Sequence, residues 1–359
     1  MSRFDVVIVG AGIAGASLAA ELAPHASVLM LEAEDQPGYH ATGRSAAFWS
    51  ETYGGPLVYP LTAASGPWLD EHGLLTPRRE LHLAREADRP LLDRLISDFE
   101  DRVTMERWPA DEAREWLPGL ADDYVEALWV PSCRDIDVAG AHQLFLKIAR
   151  TAGAELRCAA PLERAERIAT GWRLTAGGQQ LEAGILVSAA GAWADRVAAI
   201  AGVSPIGVQP LRRTVVQVEV APPASANLPL VMAMDGSFYF KPEAGGRLWL
   251  SPHDETIDVA GDAAVDELDV ATAIDRFERA TAWPVRRVER RWAGLRSFAP
   301  DRLPVYGFDP LEPAFFWCAG QGGFGIQTAP AAARMAAASL LGRSVSEIDP
   351  TPYLPDRFR

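Results

Sequence analysis

Phe4-Asp-Val-Val-Ile-Val-Gly-Ala-Gly-Ile-Ala-Gly15, followed by Val28-Leu-Met-Leu-Glu32, reads as one complete βαβ mononucleotide-binding unit. Val6 to Val9 is a short apolar run of buried-strand type, Gly10, Gly12 and Gly15 complete a G-x-G-x-x-G loop, and the alanine-rich residues up to Ala23 suit a helix. Each glycine has a physical task. Gly10 permits the tight turn, Gly12 lets the backbone approach a pyrophosphate, and Gly15 allows the helix to pack closely on the strand. The helix N-terminus adds unpaired N–H groups and a positive dipole end for phosphates. Glu32, 20 residues after Gly12, ends the second apolar run, where its carboxylate can accept from ribose hydroxyls and would repel a 2′-phosphate. The unit is therefore expected to hold a dinucleotide other than NADP.

Composition narrows the class. The chain has 359 residues, 48% of them hydrophobic, which suits two domains with buried cores. With 34 Lys+Arg against 48 Asp+Glu the net charge is −14, a poor match to nucleic acid or to an anionic membrane surface. Cys133, Cys158 and Cys318 have no C-x-x-C spacing, which argues against a disulfide framework and against a metal site. Each is read as a small buried hydrophobe. The N-terminus lacks a signal-peptide apolar region and no run approaches the length of a membrane span, so a cytoplasmic protein is expected.

After the nucleotide unit, Gln36-Pro-Gly-Tyr-His-Ala-Thr-Gly-Arg-Ser-Ala-Ala47 is rich in turn formers and reads as a long functional loop. Glu80 to Ala84 is strand-like; residues 90–101 and 110–116 suit charged amphipathic helices, and 138–152 a further helix. Arg164 to Ala169, Gly171 to Ala176 and Gln179 to Glu182 suggest a small meander, and Ile185-Leu-Val-Ser-Ala-Ala-Gly191 a separate buried strand entering a helix from Trp193. Alternating patterns at 215–220, 237–241 and 247–250 predict further strands. Phe315-Phe-Trp-Cys-Ala-Gly320 predicts a buried strand entering a second glycine-rich turn, Gln321-Gly-Gly-Phe-Gly325, and then a helix through Leu341. The expected architecture is α/β, with a discontinuous Rossmann-type domain (1–72, 137–207 and 304–359) interrupted by a mixed α+β substrate domain (73–136 and 208–303).

The N-terminal unit, Gly43-Arg-Ser-Ala-Ala47, Ala189-Ala-Gly-Ala-Trp193, Trp292-Ala-Gly-Leu-Arg-Ser297 and Gly320-Gln-Gly-Gly-Phe-Gly-Ile-Gln-Thr328 resemble, in this order and over essentially the whole chain, the FAD-dependent oxidoreductases of the D-amino-acid oxidase superfamily, which includes glycine oxidase. Within it the chain is most similar to bacterial D-arginine dehydrogenase, through Gln36-Pro-Gly-Tyr-His40, Thr42-Gly-Arg-Ser-Ala-Ala47, Leu75-Thr-Pro77 with Glu80, Ser237-Phe-Tyr239 and Lys241-Pro242. The resemblance implies bound FAD, held by Gly10, Gly12, Ile13, Ala14, Gly15, Glu32, Gly43, Arg44, Ser45, Ala190, Gly191, Trp193, Gly320, Gly322, Gly323, Phe324, Gly325, Ile326, Gln327 and Thr328.

It also implies a reaction: the α-hydrogen of a D-amino acid leaves as hydride to flavin N5, and the imino acid hydrolyses to a keto acid and ammonia. By the same resemblance Arg212 and Arg296 clamp the substrate carboxylate, Tyr239 joins the clamp, and the Gly323 carbonyl accepts from the amine. Planar guanidiniums suit a carboxylate because they can hold it bidentately. Read on its own, Arg212 is equally a solvated charge before a strand, whereas Arg296 lies in an apolar frame where a buried guanidinium needs an anion.

Tyr53 matches a mobile residue over the substrate. Glu80 matches an anion facing a basic side chain, or else is an exposed charge on a strand. The D-arginine enzymes carry His where this chain has Phe48, which removes polar contacts beside the head group and points to a drier pocket. Basic and large apolar D-amino acids are thus both expected, with N-alkyl amino acids of the sarcosine and glycine oxidase type as the alternative. No cysteine stands near 296–298, where sarcosine-oxidase relatives attach flavin, so FAD is expected to be noncovalent. Trp249 falls about where oxygen-using relatives place a lysine, which leans toward a quinone rather than O2 as electron acceptor. A monomer is expected.

Overall fold

The computed structural model describes residues 2–344 and 347–358 and divides its strands between two large sheets. In the first, Ser2–Val9 lies between Gln179–Ser188 and Val28–Leu31, parallel to both, and Glu155–Arg157 continues the parallel set. Phe315–Ala319 adds parallel to the end of Gln179–Ser188, with Phe315 opposite Leu186. Parallel strands are covered on both faces and so read as unbroken apolar runs; every residue of Val28–Leu31 is buried. Val6, Ile8 and Met30 pack toward the helices Ile13–Leu22, Val138–Thr151 and Gly325–Leu340, while Val7, Val9 and Leu29 pack toward Ala194–Ile200. The period of two places alternate residues on opposite faces. This is an α/β fold with a Rossmann-type sheet.

One expectation is corrected here. Gln179–Glu182 and Ile185 onward are not two strands but one, Gln179–Ser188. Its first half pairs antiparallel with Gly171–Ala176, closing the meander, and its last residues pair with Phe315–Ala319. Gly184 resembles a break in the sequence, yet it sits within the strand because a Cβ there would stand 2.8 Å from the Asp5 carbonyl oxygen.

The second sheet is built on the long antiparallel pair Gln209–Val220 and Val285–Phe298, in register from Gln209 opposite Phe298 to Val220 opposite Val285. It continues through Arg247–Ser251, Tyr239–Glu243, Leu230–Ala233, Glu80–Arg85, Tyr124–Val130 and Glu106–Pro109. Val216, Val218, Phe240 and Leu248 pack against the helix Glu267–Ala280 through Phe277. Residues of the other parity, among them Val215 and Tyr239, face a cleft shared with the first sheet. Gln321–Gly322 pairs with Phe298 and Ser297, so the second glycine turn joins this sheet's edge. A small sheet of Phe48–Trp49, Arg134–Ile136 and Leu75–Pro77 fixes the end of the long loop.

Candidate active site

A continuous cavity of about 400 Å³ runs from the first glycine loop to the second sheet. At its first end Gly10 has φ +103°, and a Cβ there would stand 2.5 Å from the Ala189 carbonyl oxygen, so only glycine suits the turn. Gly12 precedes the helix Ile13–Leu22 and offers no side-chain cap; Ile13 N–H donates to Thr42 Oγ1 at 3.0 Å. The Glu32 carboxylate accepts from Ala11 N–H at 2.9 Å and from Glu34 N–H at 3.1 Å, which fixes it at the cavity wall. His142, kept neutral by burial, lies 2.8 Å through Nε2 from the Ala11 carbonyl, behind the same turn. His40 pairs with Glu34 at 2.8 Å and meets the Trp193 ring at a tilt, with centroids 4.6 Å apart. Arg44 is paired with Asp262 and donates to the Ala293 carbonyl at 3.1 Å, which ties the long loop to the second sheet.

The other end is aromatic and cationic. Phe48 and Tyr53 lie 5.1 Å apart, Tyr53 and Phe324 5.1 Å, and Phe48 and Tyr239 6.5 Å. Met232 joins Phe48 and Tyr239 in one apolar cluster with Tyr53 at its edge. Two guanidiniums enter this wall. Arg296 donates through Nη1 to the Tyr53 hydroxyl at 3.4 Å and through Nη2 to Glu255 at 2.8 Å, while its buried Nε has no hydrogen-bond partner among the described residues. Arg213, with its side chain 8% exposed, donates through Nε to the Asp254 carbonyl at 3.0 Å with the Asp254 carboxylate 3.6 Å away, and its buried Nη2 makes no hydrogen bond among the described residues, Glu255 lying 3.9 Å from it. Burial first, and the neighbouring Arg296 charge second, draw the Arg213 guanidinium below its usual range. A buried pair of like charges with open N–H groups is suited to an anion between them.

His253 also lines the cavity. Its Nδ1 lies 2.6 Å from the Gly236 carbonyl, its ring meets Tyr239 edge-on at 5.7 Å, and burial together with the Arg213 charge lowers its pKa to about 4. The carbonyl can only accept, so Nδ1 carries the proton and Nε2 has a lone pair. Glu255 is held below the ordinary carboxylate range: burial opposes this, but the Arg302 hydrogen bond and the charges of Arg296, Arg302 and Arg213 outweigh it.

Of the residues expected at the cofactor, Gly10, Gly12, Ile13, Ala14, Glu32, Arg44, Ser45, Ala190, Gly191, Trp193, Gly322, Gly323, Gly325, Ile326 and Gln327 line the cavity. Gly15, Gly43, Gly320, Phe324 and Thr328 stand behind its wall instead. Gly15 lies against the Gly10 carbonyl, Gly43 N–H donates to Gly38 at 2.8 Å, Gly320 packs on Ala299, Thr328 Oγ1 donates to the Phe324 carbonyl at 2.8 Å, and the Phe324 ring supports Tyr53. Tyr53, Tyr239, Arg296, Phe48 and Gly323 are brought together as expected. A Cβ on Gly323 would stand 2.6 Å from the Tyr53 hydroxyl.

Two expectations are corrected. Arg212 does not reach the cavity; it faces the opposite side of the sheet, 3.0 Å from Asp269 and 3.4 Å from Asp266, while the adjacent Arg213 lines the cavity with Arg296. Glu80 is neither an exposed charge nor part of the cavity wall. It is 0% exposed and accepts from Ser50 Oγ at 2.7 Å, because its strand is central and Ser50 lies over it. Sequence reasoning missed Arg213, Met232 and His253. Alternation from Val215 back to Leu211 could have indicated Arg213; His253, in the irregular stretch Ser251-Pro-His-Asp254, carries no such signal.

A family model described as FAD dependent oxidoreductase matches residues 5–339. The FAD-dependent oxidoreductase domain-containing protein 1 of Bos taurus is 28% identical over 196 residues, 50% of this chain and 40% of that protein, so the aligned part spans well under half of that relative. Glycine oxidase of Pseudomonas aeruginosa is 25% identical over 379 residues and 98% of each chain. The crystal structure of glycine oxidase from Geobacillus kaustophilus is similar in fold, with a TM-score of 0.86 at 24% identity, over 99% of this chain and 98% of that one. The glycine turn that excludes a Cβ, the helix N-terminus and the fixed Glu32 carboxylate fit an FAD dinucleotide. No helix among the described residues is long and apolar enough to cross a membrane.

Proposed function

The chain belongs to the DAO family of FAD-dependent oxidoreductases, and on that premise we propose that it oxidises D-amino acids at Cα, favouring large apolar side chains. One observation carries this reading. Arg213 and Arg296, with open buried N–H groups, meet the Tyr53 and Tyr239 rings at one end of the cavity, beside the apolar cluster of Phe48 and Met232.

In this reading residues 1–72, 137–207 and 304–359 bind FAD, and 73–136 with 208–303 bind the substrate. Arg213 and Arg296 hold the substrate carboxylate, and the two tyrosine hydroxyls add hydrogen bonds to it. The Gly323 carbonyl accepts from the neutral amine. These contacts fix Cα–H in one direction, which converts binding energy into orientation. FAD, held by the glycine turn at Gly10 and Gly12 and by Glu32, would supply the redox chemistry as acceptor of the α-hydrogen and its electron pair. The amine nitrogen gives up a proton as the C=N bond forms, and water then releases the keto acid and ammonia. Phe48, Met232 and Tyr239 receive the side chain and exclude water. The electrons leave to a quinone or to O2.

A second reading is favoured by the full-length similarity to glycine oxidase: oxidation of glycine, sarcosine or other N-alkyl amino acids. The test is anaerobic bleaching of the flavin band by D-Leu, D-Phe, D-Arg, their L-enantiomers, glycine and sarcosine. Bleaching by the D-series supports the first reading; bleaching by glycine and sarcosine alone replaces it with the second.

A further inference from the structure

Glu80 and His82 are two apart on one strand and therefore share a face. Both are buried, with Glu80 Oε1 3.1 Å from His82 Nε2, a contact within ion-pair distance in which neither atom makes a hydrogen bond among the described residues. Lys241 and Arg78 are the other cations nearby, and both are turned to Asp135, at 2.9 and 2.6 Å. His82 is thus the basic side chain within ion-pair distance of the Glu80 charge. Burial and that charge also push the neighbouring Cys133 thiol well up.

The second carboxylate oxygen leads to the active site. Glu80 Oε2 accepts from Ser50 Oγ at 2.7 Å, and Ser50 Oγ lies 3.1 Å from Thr52 Oγ1. Ser50 N–H donates to Gln327 Oε1 at 3.2 Å, and Gln327 Nε2 donates in turn to the Tyr53 carbonyl at 3.1 Å. Tyr53 N–H closes the turn on the Ser50 carbonyl at 3.3 Å. Ser50 is 0% exposed, so water cannot replace these bonds. The Tyr53 hydroxyl at the end of this chain is the one that Arg296 touches.

We propose that the buried Glu80–His82 pair is a positioning device that, through Ser50, fixes the turn carrying Tyr53 and so sets its hydroxyl against Arg296 for every substrate alike. Glu80 then has no part in choosing the side chain. The inference rests on the proposed function only in treating Tyr53 as part of the substrate clamp.

The experiment is a double-mutant cycle between Glu80→Gln and Tyr53→Phe, read as the limiting rate of flavin reduction with D-Leu, D-Arg and glycine, with thermal unfolding measured on each variant. Glu80→Gln should slow reduction by on the order of tenfold, as expected for members of one hydrogen-bond network. The factor should be the same for each reactive substrate and should vanish in the Tyr53→Phe background. Ser50→Ala, which leaves the buried pair intact, should show the same pattern and serves if Glu80→Gln does not fold. Additive effects overturn the proposal, as does a loss confined to D-Arg or a lowered unfolding temperature with a wild-type reduction rate. If glycine alone reduces the flavin, the D-amino-acid reading fails while this cycle runs unchanged on glycine.

Discussion

Arg212 and Arg213 are adjacent in sequence and face opposite sides of one strand. Arg213 reaches the cavity beside Arg296, while Arg212 joins Asp266 and Asp269 at the start of the helix Glu267–Ala280. The pleat imposes this separation, since successive side chains of a strand point to opposite faces. Two arginines of equal chemistry thereby acquire unrelated tasks.

Their variants should differ accordingly. Arg213→Met removes a buried partner of the substrate carboxylate, and flavin reduction should lose about 2–5 kcal/mol of transition-state stabilisation, seen in both kcat and KM. Arg212→Met should keep the reduction rate and lower stability by about 1 kcal/mol, through the partly buried acidic cluster of Asp258, Asp266 and Asp269 it leaves behind. Stopped-flow reduction and urea unfolding measure the two effects. A wild-type reduction rate in Arg213→Met would mean that the carboxylate binds elsewhere.

FAD retention should depend on Glu32. Its carboxylate holds the Ala11 and Glu34 N–H groups at 2.9 and 3.1 Å, and Glu32→Ala would leave both without that acceptor. Unpaired buried donors cost about 1–3 kcal/mol, so FAD binding should weaken by roughly 5- to 150-fold. Equilibrium ultrafiltration gives the constant, and an unchanged value would refute the role. Acid precipitation of the wild type should release all the flavin, because none of the three cysteines lines the cavity; flavin pelleting with the protein would refute noncovalent binding.

The nucleotide half of this site was legible because its signals are local. Gly10, Gly12, Gly15 and Glu32 lie in one contiguous unit whose spacing has a direct geometric meaning. The substrate half depends on register and on distant partners. A shift of one residue decides between Arg212 and Arg213. Glu80 reads as a charge at the start of a strand, and only the packing of Ser50, His82 and Cys133 around it reveals a buried network. Gln179–Ser188 was divided in two for a related reason: Gly184 suggests a break unless the approach of the Asp5 carbonyl is known.

Stability should fall with acid through His253. This ring has a pKa of about 4 against 6.5 for the ordinary imidazole, with burial as the first cause and Arg213 the second. Between those values the unfolded chain binds a proton that the fold does not, so stability rises with pH across the window and is lost as pH falls from 6.5 toward 4. His142, lowered by burial, acts in the same direction, whereas Asp254, raised by burial, opposes it. Urea midpoints measured from pH 4 to 7 should therefore be flatter against pH in His253→Phe than in wild type, whatever the variant's baseline. Parallel curves would show that His253 titrates normally.

Side-chain preference provides the last test. The cavity end offers Phe48, Met232, Tyr53 and Tyr239, while Glu80 is turned away to Ser50 and His82. A charged side chain entering this wall would lose hydration without gaining a counter-ion, whereas a leucine or phenylalanine side chain gains about 1.5–3 kcal/mol on full burial. D-Phe, D-Leu and D-Met should accordingly exceed D-Arg in kcat/KM by at least roughly tenfold, since about 1.4 kcal/mol is a factor of ten and burial of such a side chain contributes about 1.5–3 kcal/mol. D-Asp and D-Glu should be the poorest, because the arginines that could attract a second carboxylate are engaged with the first. Phe48→Ser should narrow the gap by admitting water and a polar contact, lowering the apolar substrates and raising D-Arg. A wild-type enzyme that turns over D-Arg as efficiently as D-Leu would require an anion within reach of the side chain, and the apolar wall could not then be its binding surface.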